Sequence, residues 1–192
     1  MKKHIVIAGV PRSGKSTLSQ RISHRFGYQH ISMDSVIAGL ESVFPETGIR
    51  SGADTDLREN VRYISSRMAP FIRAMMDSGE YDECDYGMVI DIFQLLPEHY
   101  VRFIDPAVCD ICYLGTADVT PEERYALLKQ YDTPKDYTYY LSEEENRRGC
   151  ADITAVSGWL REECGKHHLP YYDTSHDRER VLRRILSFSF AP

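Results

Sequence analysis

Residues 9–16 read Gly-Val-Pro-Arg-Ser-Gly-Lys-Ser: two glycines with four residues between them, followed at once by a lysine and a hydroxyl. That run is suited to gripping a polyphosphate. Gly9 and Gly14 let the backbone curl so that its amides point inward, and a helix opening at this point adds the positive end of its dipole. Lys15 is then expected to reach the β- and γ-phosphates, while the Ser16 hydroxyl ligates Mg²⁺. Pro11, Arg12, Ser13 and Thr17 complete the set expected to contact the nucleotide, and the expected ligands are ATP and Mg²⁺. From average residue usage, a chance match somewhere in a chain this long has odds of about one in 150. A nucleotide-triphosphate site is therefore the leading expectation.

The motif needs a strand before it and a helix after it, and the sequence supplies both. His4 to Gly9 is a short β-branched run that reads as a buried parallel strand. Leu18, Ile22 and Phe26 recur every four residues on one helical face, and Gly27 stands where a left-handed cap would end that helix. Tyr28 to Met33 reads as a second strand, Gly87 to Asp91 as a third, Val108 to Leu114 as a fourth and Leu169 to Asp173 as a fifth. Between the second and third, Leu57, Val61, Ile64, Met68, Ile72 and Met75 predict a long amphipathic helix over about 55–77, capped by Asp54 or Thr55 and kinked at Pro70. Thr120-Pro-Glu-Glu123 is a capping box for a further helix. Ile153, Val156, Leu160 and Cys164 predict another, and Val181, Leu182, Ile185 and Leu186 a terminal one. Strand and helix alternate throughout, so the expected architecture is α/β, with a parallel sheet covered on both faces.

Composition narrows the function classes. With 192 residues a single domain bearing an inserted flap is expected. A net charge of −6 speaks against a broad cationic surface for nucleic acid, although 17 of the 23 basic residues are arginine, the better phosphate fork. The five cysteines are odd in number and scattered, which points to a reducing, cytoplasmic setting rather than a disulfide framework. The apolar run from Ile5 to Val10 is too short for a signal peptide, and no stretch of about 18 apolar residues predicts a membrane span.

On these residues the chain resembles the small P-loop kinases of the adenylate kinase and shikimate kinase class. The resemblance covers nearly the whole length as a pattern, with the phosphate loop as its one specific motif. It implies a three-layer P-loop fold: a five-stranded parallel sheet with helices on both faces and a lid insertion, within one domain over residues 1–192. Residues of about 35–85 would form the acceptor side and about 131–151 the lid. It further implies transfer of the γ-phosphoryl group of ATP to a small-molecule acceptor. Asp34 falls where members that phosphorylate hydroxyls place a base or substrate-binding carboxylate; the competing role is a helix N-cap. Asp91 ends an apolar strand as in a Walker B segment and would hold Mg²⁺. Arg147 and Arg148 in the lid, with Arg124 as a further candidate, would close over the transferring group; alternatively Glu144 and Arg148 pair four apart on a helix. Thr174 and Ser175 would contact adenine.

Departures from the family shape the acceptor expectation. Asp91 is followed by Ile92-Phe93-Gln94 where nucleotide kinases place Gly and a nearby Arg, which speaks against a nucleoside monophosphate; the expected acceptor is a small-molecule hydroxyl, with a nucleoside or nucleotide kinase as the alternative. The second carboxylate of shikimate kinases is missing after Asp34. Arg50, Arg58 and Arg62 are candidates to grip an anionic acceptor. An ATP-binding regulatory NTPase is the alternative of another class; N-K-x-D and D-x-x-G, which a GTPase would need, are both absent. The acidic stretch Asp77 to Asp85 reads as a solvated loop. Cys109 and Cys112, three apart on a strand, should face opposite sides of the sheet and share no metal. His167, His168 and His176 read as surface or capping residues, and Tyr137, Tyr139 and Tyr140 as lid packing. Oligomeric state is not readable from these residues.

Overall fold

A computed structural model describes residues 2–50, 56–78 and 87–188. In chain order the elements are β1 (His4–Gly9), α1 (Lys15–Phe26), β2 (Gln29–Ser32), α2 (Met33–Val43), α3 (Leu57–Met76), β3 (Met88–Ile92) and α4 (Pro97–Phe103). Then follow β4 (Cys109–Gly115), α5 (Pro121–Tyr131), α6 (Glu143–Lys166), β5 (Tyr171–Asp173) and α7 (Arg178–Phe188). The five strands form one sheet in the order β2-β3-β1-β4-β5, and every pairing is parallel. From β1 the chain passes to the edge strand β2, returns to place β3 between them, and then crosses β1 to add β4 and β5 on the other side. The reversal at β1 leaves a crevice at the carboxyl ends of the strands, the place where open α/β sheets bind ligands.

Period-two alternation along the strands makes two cores. Val6 and Ala8 of β1 and Ile90 and Ile92 of β3 pack with Val61, Ile64, Met68 and Ile72 of α3 and Val156 and Leu160 of α6. Ile5 and Ile7 of β1 and Val89 of β3 pack on the other face with Leu18 and Ile22 of α1 and Leu182 and Ile185 of α7. Cys109 belongs to the first core and Cys112 to the second, as alternation requires. The four described cysteines are free and buried, and Cys84 lies outside the described residues. No helix among the described residues is long and apolar enough to cross a membrane.

Helix boundaries follow from their caps. Asp56 caps α3 by accepting from the amides of Arg58 and Glu59; Asp54 and Thr55 lie outside the described residues. α3 runs on through Pro70 to Met76. The capping box at Thr120 and Glu123 opens α5 as expected. A second box, Ser142 with Glu145, opens α6 about ten residues before the apolar period at Ile153 becomes visible. The first turns of α6 are largely exposed, so they carry no apolar stripe to read. The segment between α5 and α6 is therefore shorter than the expected lid: a connection over 132–142 with a 3-10 turn at Tyr137–Tyr140. Asp77 pairs with Arg73, and residues 79–86 of the acidic stretch lie outside the described residues.

Candidate active site

The loop after β1 is shaped by two backbone requirements. Gly9 has φ of 130° and Gly14 has φ of 100°, both in territory that favours glycine. A Cβ at Gly9 would overlap the carbonyl oxygen of Leu114 on β4, so the loop leaves the sheet at a point of direct backbone contact. The carbonyl of Val10 then acts as a hub, accepting from the Ser13 hydroxyl at 2.8 Å and the Lys15 ammonium at 3.0 Å. Gly14 occupies the N-cap of α1 without a side-chain cap, which leaves the first amides of α1 free to serve an anion. Ser16 and Thr17 are exposed on that first turn.

Lys15 is buried, and burial lowers its pKa, while Asp34 and Asp91 act in the opposite sense and favour its charge. Asp34 sits in the first turn of α2, whose N-cap is Ser32, so Asp34 is not the cap. Its carboxyl keeps solvent access, yet burial among protein atoms pushes its pKa up; Lys15 opposes that, Asp91 adds to it, and the amide of Phe93 donates to it. Asp91, at the carboxyl end of β3 beside Ile7 and Ser32, is fully buried. One of its oxygens, Oδ2, accepts from His30 Nε2 at 2.6 Å, and Oδ1 has no partner among the described residues. One cation and two carboxylates thus meet where β1, β2 and β3 end.

Beside the loop lies a cavity of about 350 Å³ lined by Arg12, Arg124, Thr174, Ser175, Leu127 and Leu128, among others. It combines an apolar wall from α5 with polar groups from the loop after β5. Thr174 is fixed by its amide and hydroxyl on the Gly115 carbonyl, at 2.8 and 3.1 Å. Ser175 donates its amide to Asp173, and its buried hydroxyl has no partner among the described residues. Arg124 donates to the Pro11 carbonyl at 2.8 Å and to the Thr116 hydroxyl, bracing the loop from α5. Burial lowers the Arg124 pKa. Arg12, in a left-handed conformation with φ of 65°, pairs with Asp136 and lies 3.5 Å from Asp132.

Several expected residues stand elsewhere. Arg147 pairs with Glu143 at 3.0 Å and covers the Tyr125 ring, so the helical ion pair is 143–147 rather than 144–148. Arg148 is exposed, and neither arginine lines the cavity. An early start to α6 explains this, because the helix turns these side chains onto its outer surface. Arg58 and Arg62 stack over Trp159 at 5.5 and 5.6 Å, fastening α3 to α6, and Arg62 also faces Glu98. Arg50 is exposed. His167 caps α6, and His176 lies exposed at the cavity rim. Tyr137, Tyr139 and Tyr140 are exposed, so they do not form a packed lid interior. Sequence reasoning missed His30, whose one signal was a titratable side chain inside a short predicted strand. It also missed Asp132 and Asp136, which carry no motif.

Among the described residues no group of three or more His, Cys, Asp or Glu side chains forms a metal site. A magnesium ion shared with phosphate oxygens needs only one or two protein oxygens. The unpartnered Oδ1 of buried Asp91 and the exposed hydroxyl of Ser16 fit that requirement.

No protein-family model matches the sequence, and neither does any curated protein. Solved structures do. A gluconokinase from Sinorhizobium meliloti is 15% identical, with a TM-score of 0.54, covering 96% of this chain and 90% of that one. A sugar kinase from a Janibacter species is 14% identical with a TM-score of 0.57, covering 98% and 95%. At such identities the likeness concerns the fold, and it extends over nearly the whole of each chain.

Proposed function

We propose that this chain is an ATP-dependent phosphotransferase that moves the γ-phosphoryl group to a hydroxyl of a small-molecule acceptor. The observation that carries the reading is the meeting of Lys15, Asp34 and Asp91 beside a glycine-shaped loop at the carboxyl end of a parallel sheet. Two structures of the same fold are described as a gluconokinase and a sugar kinase, which supports a polyol or sugar hydroxyl as the acceptor class. The free, buried thiols agree with a cytoplasmic enzyme.

In this reading the amides of residues 13–17 and the Lys15 ammonium hold the β- and γ-phosphates, and Lys15 exchanges the Val10 carbonyl for phosphate oxygen. Thr174, Ser175 and the apolar wall of α5 take the base, in a cavity of the volume small ligands need. Ser16 and Asp91 would hold magnesium, which would supply charge neutralisation to the phosphates. Asp34 accepts the acceptor's hydroxyl proton as that oxygen bonds to phosphorus and the bond to the ADP oxygen breaks. A carboxyl whose pKa is raised by burial is a better base near neutral pH than an ordinary one. Arg12 and Arg124 lie at the loop after β1, Arg124 donating to the Pro11 carbonyl, and are therefore preferred to Arg147 and Arg148 as candidates to meet the charge that spreads during transfer.

A coupled ADP-release screen across polyols, sugars, nucleosides and nucleoside monophosphates tests this. Acceptor-dependent ADP formation that disappears in Lys15→Ala and Asp34→Asn is the expected result. Fast hydrolysis without any acceptor would replace it with the regulatory NTPase reading.

A further inference from the structure

We propose that His30 is a positioning residue whose Nε2–H, held on Oδ2 of Asp91, fixes that carboxylate so that Oδ1 is presented to the magnesium ion accompanying the nucleotide. The inference rests on the phosphotransferase reading of the site.

The sheet register makes the contact. Ser32 lies beside Asp91 on the β2–β3 ladder and His30 beside Val89, so His30 and Ser32 share one face of β2, and the imidazole reaches forward to Asp91. At 2.6 Å the bond is short for a nitrogen donor, as expected when the acceptor is a carboxylate. A carboxylate acts as acceptor, so His30 is the donor in this pair, through Nε2–H.

Asp91 is fully buried, and one oxygen is satisfied by His30 while the other has no partner among the described residues. An unpaired charged acceptor inside a protein is destabilising, so the open oxygen of a fully buried carboxylate calls for a partner. One oxygen anchored and one left open is the arrangement of a metal-binding carboxylate with an outer hydrogen-bond partner. The His30 ring is itself about one-fifth exposed, with side-chain exposure of 22% against 1% for Asp91, so it stands between solvent and the carboxylate. Without it, Asp91 is free to rotate toward Lys15, whose charge it already favours.

The test compares wild type, His30→Phe, which removes the donor, and His30→Gln, which restores one. ATP affinity is measured by calorimetry with saturating Mg²⁺ and again in chelator. Outer-sphere partners typically change metal affinity by about 10–100-fold. His30→Phe is expected to lose at least about tenfold of the magnesium-dependent gain in affinity while its metal-free affinity stays at the wild-type value. His30→Gln should recover most of the gain. An undiminished gain in His30→Phe overturns the proposal, as does an equal loss in His30→Gln or a parallel fall in metal-free affinity. If wild type binds no ATP in either condition, the phosphotransferase reading itself fails. A second measurement uses the unaltered protein and so does not depend on the variants folding. Nitrogen-15 spectra of the imidazoles should show His30 protonated on Nε2, with a signal that moves when Mg²⁺ is added to the ATP-loaded protein. A proton on Nδ1 alone, or a signal that stays still, overturns the assignment.

Discussion

Gly9→Ala adds a single methyl group at the point where β1 passes into the loop before α1, and two effects add there. The backbone φ of 130° is one that an L side chain rarely adopts, with strain of about 1–3 kcal/mol. The new carbon would also overlap the Leu114 carbonyl oxygen and stand 2.7 Å from the Leu114 amide nitrogen. Those are backbone atoms of β4, and the same carbonyl accepts from the Val10 amide at 3.1 Å, so it cannot retreat without loosening the β1–β4 ladder. Overpacking of this kind costs about 1–3 kcal/mol more. A destabilisation of about 2–6 kcal/mol is expected, a large share of the roughly 5–15 kcal/mol that holds a typical domain together. Gly39→Ala is the matched control, because it makes the same chemical change inside α2 with nothing within 4 Å of the new carbon. It should stabilise by about 0.5–1 kcal/mol through helix propensity. Urea denaturation of the three proteins, with equal slopes, reads both values. Gly9→Ala within about 0.5 kcal/mol of wild type, or both variants moving in the same direction, would refute the reasoning.

Asp34→Asn should reduce turnover by about 10²–10⁴-fold without reducing stability. Burial raises the folded pKa of Asp34, so its ionised form is disfavoured by the fold; stability from this group is highest below its unfolded pKa and declines as pH rises toward the folded one. The proposed role as base needs the ionised form, so wild-type turnover should climb with pH through that raised value, and a pH series of melting and rate checks both signs. Arg124→Lys keeps a charge but loses the fork that joins Pro11 and Thr116, and a loss of about tenfold or more in kcat/KM is expected from steady-state kinetics. Arg58→Ala and Arg62→Ala should each lose no more than about 1 kcal/mol of stability, from the contact with Trp159, with KM for the acceptor unchanged in the ADP-release assay.

Much of this was legible because it depends on local periodicity. β1 coincides with its expected run of His4 to Gly9, and the remaining strands fall within a residue or two of theirs; β1 and β3 are the fully buried ones and carry the apolar, β-branched runs expected of central parallel strands. The sharp turn from β1 into α1 was legible for a different reason: its backbone curvature imposes glycines at fixed spacing, at Gly9 and Gly14. Arg147 and Arg148 were not, because a charged stretch reads alike whether it faces a ligand or opens a solvated helix. The deciding feature, the box of Ser142 and Glu145, speaks only of where the helix begins. Arg12 and Arg124 could not be ranked above them, since their place at the cavity depends on how α5 docks against the loop. His30 lay beyond reach because its partner is 61 residues away in the chain and meets it only through the β2–β3 register.

The central claim is that the loop over residues 9–16 grips the phosphates of ATP through its amides and Lys15. Titration calorimetry of wild type and Lys15→Ala with ATP and saturating Mg²⁺ tests it directly. A saturable heat for wild type, with affinity at least about tenfold weaker in Lys15→Ala, is the predicted result. No heat with wild type, or equal affinity in the two proteins, would contradict it.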